Sequence, residues 1–330
     1  MKKEKLAILG GPKSFNDKIK TYNTIGKEEL QAAIKVVKSG KLSSFLGEPS
    51  EEFFGGKYVR KFEKNLSKYF GVKYAITVNS WSSGLSCAVG ALDLNPGDEI
   101  ILPTMTMCAC ASAILQWNLV PVFADVHPDT FNICTKSIEK KITKKTRAIM
   151  AVDYFGRPAD MKKIALLAKK YNLKTISDTA QAIGAKYHGK YAGTIADIGG
   201  YSLNYHKTIH TGEGGILVTN NPKLALRLQL IRNHAEAVVK KFKVSKISGL
   251  IGRNYRLGEI EAAIGIEQLK KLKYLVLEKQ SWANQLIKGL SHLEGLSLPT
   301  VPKSITHSYY AFPMKIDPNK LKVSKNKILN

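Results

Sequence analysis

Short apolar runs that are rich in β-branched residues alternate with helical stretches between about residues 74 and 220. Because alternating strands and helices form layered folds, this pattern predicts an α/β fold with a mostly parallel sheet flanked by helices. Turn sequences such as Asn95-Pro-Gly-Asp separate the elements. The predicted strands are Tyr74–Val78, Glu99–Leu102, Pro121–Asp125, Arg147–Asp153, Lys174–Ser177, Ile198–Leu203 and Gly215–Thr219, and the predicted helices between them are Leu85–Leu92, Ser137–Lys141 and Met161–Tyr171.

The pattern changes after about residue 250, where apolar residues recur at helical spacing. It predicts one or two long helices over Leu257–Leu290, a strand at Tyr309–Ile316, and the opening of a helix in the lysine-rich run Lys322–Asn330. A chain of 330 residues exceeds the usual size of a single hydrophobic core. We therefore expect a large domain with an N-terminal arm over residues 1–250 and a smaller α+β domain over residues 251–330. We expect the smaller domain to be truncated, because it ends on one strand and an unfinished helix.

The distribution of apolar residues also excludes two protein classes. No apolar run approaches the roughly 18 residues that a membrane span needs. The N-terminal apolar stretch is too short for the core of a signal peptide, which leads us to expect a cytoplasmic protein. The four cysteines are too few for a disulfide scaffold and fit a reducing compartment. The spacing of Cys108 and Cys110 is not that of a zinc site, and we expect no metal site.

The chain is strongly basic, with a net charge of +25 and a pI near 9.7. A pI this high makes a nucleic-acid-binding protein a candidate. The excess is almost all lysine, however, with 44 Lys against 7 Arg, and the lysines are scattered along the whole chain. Proteins that read bases and phosphates favour arginine for its bidentate geometry. The charge therefore indicates solvated faces, and nucleic-acid binding stays a remote alternative.

A turn of small residues follows the first predicted strand. Ser82, Ser83 and Gly84 would place hydroxyl and backbone N–H groups at the start of a helix. Such a helix end binds anions through its unsatisfied N–H groups and its dipole. Ordinary N-capping by either serine explains the same pattern equally well.

Two charged residues stand at other strand ends. Asp178 ends an apolar strand, where a lone carboxylate needs a partner. A cationic ring nitrogen would be such a partner, and a helix cap is the alternative. Lys207 lies in a polar loop before Gly212-Glu-Gly-Gly. A desolvated lysine is a nucleophile, whereas one lysine among 44 is ordinarily a solvated surface charge.

Taken together, these segments resemble the DegT/DnrJ/EryC1/StrS family, whose members are aminotransferases that depend on pyridoxal phosphate and act mainly on keto sugars of nucleotide sugars. The resemblance covers essentially the whole chain and implies the fold type I architecture of such transferases. The matching stretches are Leu6-Ala-Ile-Leu-Gly-Gly, Ser39-Gly-Lys-Leu, Phe62-Glu-Lys, the turn Asn79–Gly84, Pro96-Gly-Asp-Glu, Pro121-Val-Phe-Ala-Asp-Val, Asp178-Thr-Ala-Gln, Ser202 with Lys207 five residues on, Gly212-Glu-Gly-Gly, Arg232-Asn-His and Asn254-Tyr-Arg.

The resemblance implies a role for each matching residue. Lys207 corresponds to the lysine that binds the cofactor covalently, and Asp178 to the carboxylate that pairs with the pyridine nitrogen, so these two would be catalytic. Gln181 corresponds to the glutamine near the ring hydroxyl. Ser202, with Ser82 and Ser83 of the turn, corresponds to the phosphate cup. Asn254, which by itself only precedes a long helix, corresponds to an asparagine that reaches a phosphate across a dimer interface, so the resemblance also implies a homodimer with shared sites.

Two cofactor-binding positions depart from the family pattern. Trp81-Ser82 stands where the family usually has Gly-Thr, so Trp81 would reshape the cup. Met107 stands where an aromatic residue usually stacks on the pyridine ring. Methionine can still pack on a ring face through its polarizable sulfur. These departures bear on cofactor affinity and on the substrate.

The resemblance implies transfer of an amino group from an amino acid, by family habit L-glutamate, to a keto sugar, most often a nucleotide-linked 4-keto or 3-keto sugar. Two alternatives on the same fold are a sugar dehydratase and a keto-cyclitol aminotransferase. Some related dehydratases carry histidine in place of the lysine. Because Lys207 is present here, the transaminase is favoured.

Overall fold

The computed structural model describes residues 10–12, 22–235 and 250–321 of the chain. The helices in this part are α1 (Lys27–Ser39), α2 (Lys57–Phe70), α3 (Trp81–Ala91), α4 (Ala109–Leu115), α5 (Thr135–Lys141), α6 (Met161–Lys170), α7 (Pro222–Arg232), α8 (Glu259–Leu290) and α9 (Pro318–Leu321). The strands are β1 (Tyr74–Val78), β2 (Glu99–Pro103), β3 (Val120–Ala124), β4 (Thr146–Val152), β5 (Lys174–Asp178), β6 (Lys186–Tyr187), β7 (Lys190–Tyr191), β8 (Ile198–Ser202), β9 (Gly215–Thr219), β10 (Leu296–Ser297), β11 (Ile305–Thr306) and β12 (Lys315–Ile316).

A seven-stranded sheet forms the centre of the described part, in the order β1-β9-β8-β5-β4-β2-β3. β9 runs antiparallel to both of its neighbours, and the remaining pairs are parallel. The carboxyl ends of all the other strands therefore lie at one edge of the sheet. The predicted α/β fold with a mostly parallel sheet is confirmed, and each predicted strand of this sheet is present within one or two residues of its expected bounds.

Helices cover both faces of the sheet, because successive residues of one strand pack against different layers of helices. Ile100 and Leu102 of β2 belong to the cluster formed with α3, α4 and α7, whereas Ile101 belongs to a cluster with α5 and α6. A further cluster joins α2 and α8 to the second face. Because both faces are buried, the strands read as nearly continuous apolar runs in the sequence.

The long helix α8 packs against α1 and α2. The sequence pattern allowed one or two helices here, and the structure has a single helix of 32 residues. Its buried Leu269, Leu272 and Leu275 share a cluster with Phe62 and Leu66 of α2. The helix is thus part of the core of the sheet domain, and the division at residue 250 stays a prediction.

The expected strand over Tyr309–Ile316 is wrong for most of its length. Only Lys315–Ile316 is a strand, and it pairs with Leu296–Ser297. Tyr309 has a φ of 47°, in the left-handed region that a strand does not use. The N–H groups of Ser308 and Ala311 donate to carbonyls of the Tyr154–Gly156 turn instead of to a neighbouring strand.

The expected helix opening at Lys322–Asn330 and most of the N-terminal arm lie outside the described residues. None of the helices that the structure describes has the length and apolar character that crossing a membrane requires.

Candidate active site

Three of the expected site segments meet at the carboxyl edge of the sheet. The turn that opens α3 follows β1, Asp178 ends β5, and Ser202 ends β8. Asp178 pairs in register with Gly200 of β8, which places Ser202 two residues further along the neighbouring strand. Ligands bind at this edge in open α/β sheets, because the loops that leave parallel strands converge there.

The N-terminus of α3 is capped by Ser80. The Ser80 hydroxyl accepts from the Ser83 N–H at 3.1 Å and lies 3.0 Å from the Ser83 hydroxyl. The helix cap is therefore Ser80 and not Ser82 or Ser83, which was the alternative interpretation. Ser82 is exposed beside the helix N-terminus.

Trp81 does not lie on the surface of this turn. Its side chain is buried, and the indole N–H donates to Oδ1 of Asp178 at 2.7 Å. Oδ1 also accepts from the Ala180 N–H at 3.0 Å, and the Cys110 thiol donates to Oδ2 at 3.1 Å. The buried Asp178 carboxylate therefore accepts from three donors, and the helix-cap interpretation accounts for only one of them.

Lys207 lies in the loop after β8, partly buried. Its Nζ is 4.4 Å from the centroid of the Tyr310 ring. Desolvation by burial lowers the pKa of this ammonium group, while the Asp178 carboxylate acts in the opposite direction. Lys207 is thus a partly buried amine in the field of Asp178, which favours the nucleophile over a solvated surface charge.

Gln181 lies three residues after the end of β5, and Ser202 ends the neighbouring strand β8. The Gln181 Oε1 accepts from the Phe155 N–H at 2.7 Å, which orients the amide group. The Gln181 carbonyl accepts from the Ser308 hydroxyl at 3.2 Å. The buried Ser202 hydroxyl accepts from the Asn204 N–H at 3.3 Å. Both side chains therefore have fixed positions at the sheet edge.

Met107 and Asn254 differ from the other expected residues because both are exposed. Met107 lies in the loop between β2 and α4 and is 67% exposed. The backbone of Asn254 forms an isolated bridge with Asn233, and the carbonyl of Tyr255 accepts from the Asn79 N–H at 2.9 Å. Asn254 thus lies close to the turn that opens α3, with its side chain directed outward.

Sequence reasoning missed two residues of the site, Cys110 and Tyr310. Cys110 was considered as a metal ligand and rejected as one, and Tyr310 was assigned to a strand. Both contact their partners, Asp178 and Lys207, across long sequence separations. No local pattern could have indicated these contacts.

The donor set fits pyridoxal phosphate. A desolvated lysine amine suits an aldehyde, and a buried carboxylate suits a protonated ring nitrogen. The Ser82 hydroxyl at a helix N-terminus suits a phosphate, and an oriented glutamine suits a ring hydroxyl. Among the described residues, no group of three or more His, Cys, Asp or Glu side chains is placed to hold a metal ion.

Comparison with known proteins agrees with this geometry. The model of the DegT/DnrJ/EryC1/StrS aminotransferase family matches residues 23–330. The chain belongs to this family. It is therefore an aminotransferase that depends on pyridoxal phosphate, and its fold is that of the family's solved structures.

Named relatives in the DegT/DnrJ/EryC1/StrS family include sugar-modifying enzymes. The GDP-perosamine synthase of Escherichia coli O157:H7 is 38% identical over 255 residues, which cover 77% of this chain and 68% of that protein. The dTDP-3-amino-3,6-dideoxy-alpha-D-galactopyranose transaminase of Aneurinibacillus thermoaerophilus is 36% identical over 293 residues, covering 88% and 75%. The structure of an aminotransferase from Psychrobacter cryohalolentis has a TM-score of 0.85 at 29% identity, covering 94% of this chain and 81% of that one.

Proposed function

We propose that this aminotransferase moves an amino group from L-glutamate to a keto sugar, and that the sugar is a nucleotide-linked 4-keto or 3-keto sugar. The single observation that carries the chemistry is the desolvated Lys207 amine in the field of the buried Asp178 carboxylate. The class of acceptor is supported by the names of the relatives, which act on GDP- and dTDP-linked sugars.

Lys207 holds the cofactor and moves the proton. When bound, pyridoxal phosphate supplies an electron sink for the charge that develops at the α-carbon of the donor. The Lys207 amine would take the proton from that carbon as a general base and, as a general acid, deliver it to the cofactor carbon that bears the nitrogen. Desolvation serves this role because it lowers the pKa of the ammonium group and raises the fraction of free amine. The same residue favours amino transfer over dehydration, because the related dehydratases carry histidine at this position.

Asp178 provides the charge that matches a protonated ring nitrogen, and its burial strengthens that interaction. Gln181, oriented by the Phe155 N–H, would contact the ring oxygen. Ser82, Ser83 and Ser202 bind the phosphate together with the N–H groups at the start of α3. In this arrangement Ser82, Ser83 and Ser202 would hold the phosphate, Asp178 would hold the ring nitrogen, and Lys207 would be left to act at the reacting carbon.

Two chains complete the site. Asn254 is directed outward beside the α3 turn, and Met107 is 67% exposed next to the same edge of the sheet. In a homodimer the partner covers this edge, and each Asn254 reaches the phosphate in the other subunit. We place the enzyme in the cytoplasm, which agrees with the fact that its four cysteines are unpaired.

The lysine assignment is tested by the absorption spectrum of the protein with added pyridoxal phosphate. The Lys207→Ala variant should lose the band of the lysine-bound cofactor and all amino transfer. Lys279→Ala is the matched control, since burial also lowers the pKa of Lys279, and it should keep the band. Retained transamination in Lys207→Ala would overturn the assignment.

The acceptor is tested by assaying GDP- and dTDP-linked 4-keto and 3-keto sugars with L-glutamate as donor. We expect turnover with at least one member of this panel and ping-pong kinetics. Turnover of a keto-cyclitol alone would contradict the sugar assignment, and loss of a sugar hydroxyl without amination would indicate a dehydratase.

The shared site is tested by mixing two inactive variants, Lys207→Ala and Asn254→Ala, under conditions that exchange subunits. A hybrid dimer contains one site with both residues intact, so the mixture should regain up to about a quarter of wild-type activity. No recovery in a mixture that forms hybrid dimers would contradict a phosphate contact made across the interface.

A further inference from the structure

Two buried side chains from different helices converge on the Asp178 carboxylate. The indole N–H of Trp81, at the start of α3, donates to Oδ1 at 2.7 Å. The thiol of Cys110, in α4, donates to Oδ2 at 3.1 Å. Asp178 ends β5, so three separate elements meet at this one carboxylate. Convergence of this kind fixes the plane and the position of a carboxylate more firmly than its own backbone can.

The chain makes room for the indole with glycines. A Cβ atom on Gly200 would lie 2.3 Å from the indole ring of Trp81, and one on Gly84 would lie 2.6 Å from it. Gly200 is the residue that pairs with Asp178 in the neighbouring strand. The Trp81 indole is therefore closely packed between α3 and the sheet, and this packing fixes the position of its N–H relative to Asp178.

The second donor belongs to a short chain of hydrogen bonds. The Thr106 hydroxyl donates to the Cys110 sulfur at 3.1 Å, and the thiol donates onward to Asp178. Burial and the Asp178 charge hold the pKa of Cys110 well above its ordinary value, so the group stays a thiol and keeps its proton to donate.

We propose that Trp81 and Cys110 are positioning residues that hold the Asp178 carboxylate in place and oriented toward the pyridine nitrogen of the cofactor. The inference rests on the proposed role of Asp178. A carboxylate has about four acceptor sites. Trp81 and Ala180 use the sites of Oδ1, and Cys110 uses one site of Oδ2. The remaining acceptor site therefore lies on Oδ2, which would accept from the protonated ring nitrogen.

The contacts themselves are tested in the protein without cofactor. Ultraviolet resonance Raman spectroscopy reports hydrogen bonding at indole N–H groups. Trp81→Phe should remove the signal of a strongly bonded indole, and Asp178→Ala should shift it. Trp117→Phe is the control, because its indole donates to the Ser86 carbonyl at 2.8 Å, away from Asp178. If the Trp81 signal is unchanged in Asp178→Ala, the proposal is overturned.

The role is tested by the affinity for pyridoxal phosphate. A hydrogen bond to a charged group is strong enough that we expect Trp81→Phe and Cys110→Ala each to weaken cofactor binding roughly tenfold. Cys110→Ser, which keeps a donor, should restore most of the loss, and Trp117→Phe should not change the affinity. Trp81→Phe keeps an aromatic ring in the space of the indole. If this variant nevertheless folds poorly, the Cys110 variants test the proposal independently.

A background variant separates positioning from packing. If Trp81 acts through Asp178, Trp81→Phe should have little further effect on cofactor affinity in the Asp178→Ala background. An equal loss in both backgrounds would show that Trp81 only fills space, which contradicts the proposal. Failure of the proposed function would look different, because the wild-type protein would then form no lysine-bound cofactor band while the Raman contacts persisted.

Discussion

Acid should lower the free energy of unfolding, because the loop that places Tyr310 beside Lys207 also carries a buried neutral histidine. His307 is 3% exposed, its Nδ1 accepts from the Tyr309 N–H at 2.9 Å, and its ring stacks on Tyr309 at 4.1 Å. Burial, together with the nearby Arg157 cation, lowers its pKa from 6.5 to about 3. In the unfolded chain the same residue takes up a proton near its ordinary pKa, while the folded protein stays neutral.

The size of the effect follows from this difference in pKa. As the pH falls through the ordinary pKa, the unfolded state binds more protons than the folded state, so the free energy of unfolding decreases. Between pH 7 and pH 5 the loss from His307 is about 2 kcal/mol. Asp153 opposes it, because burial raises its pKa to about 6 and the folded protein takes up that proton first. Asp153 adds about 1 kcal/mol of stability over the same interval.

Because the two groups act in opposite directions, the His307 contribution is best measured as a difference between variants. Asparagine keeps an acceptor near the position of Nδ1 and does not titrate, so His307→Asn isolates the charge. In urea titrations the variant should lose about 2 kcal/mol less than the wild type between pH 7 and pH 5. His292→Asn, at an exposed histidine, should keep the wild-type pH dependence. If His307→Asn and the wild type show the same pH dependence, the reasoning is wrong.

Three further changes test the packing around the site. Asp153→Asn should abolish the decrease in unfolding free energy that this group causes as the pH rises from about 4 to about 6; urea titrations across that range check it, and an unchanged slope counts against the assignment. Glu63→Gln leaves the fully buried Arg232 without its counter-ion and should cost about 3–5 kcal/mol in denaturant unfolding. Glu51→Gln, which removes an exposed ion pair, should cost less than about 1 kcal/mol, and equal losses in the two variants would contradict this account. Gly156→Ala puts a methyl group at a φ of 101° and within 2.9 Å of the neighbouring loop, so it should lower the thermal midpoint by several degrees, whereas an unchanged midpoint would exclude this strain.

The individual strands of the sheet could be predicted from the sequence, because each one is a local run of apolar residues. Tyr74–Val78 and Gly215–Thr219 were predicted with their observed bounds, since both are short apolar runs between clear turn signals. The order of the strands could not be predicted, because it depends on pairings between distant segments. The strand expected at Tyr309–Ile316 failed for a related reason: its aromatic residues pack on His307 and above Lys207 instead of on a neighbouring strand.

The candidate site was predicted in part. Lys207 and Asp178 were singled out by their positions after strands and by the family resemblance, and the structure brings them within electrostatic range. The inward orientation of Trp81 was not predicted, because a residue at a helix start has no local reason to face a carboxylate 97 residues away. Its signal in the sequence was indirect, in the glycine at position 200 that admits the indole.

The central claim is that Lys207 binds the cofactor and that glutamate then loads it with an amino group. The most direct measurement is an absorption spectrum of the purified protein with pyridoxal phosphate, recorded before and after L-glutamate. The account predicts a lysine-bound band that glutamate replaces with the band of the aminated cofactor, and it predicts neither band in Lys207→Ala. A lysine-bound band that persists in Lys207→Ala, or a wild-type band that glutamate leaves unchanged, would contradict it.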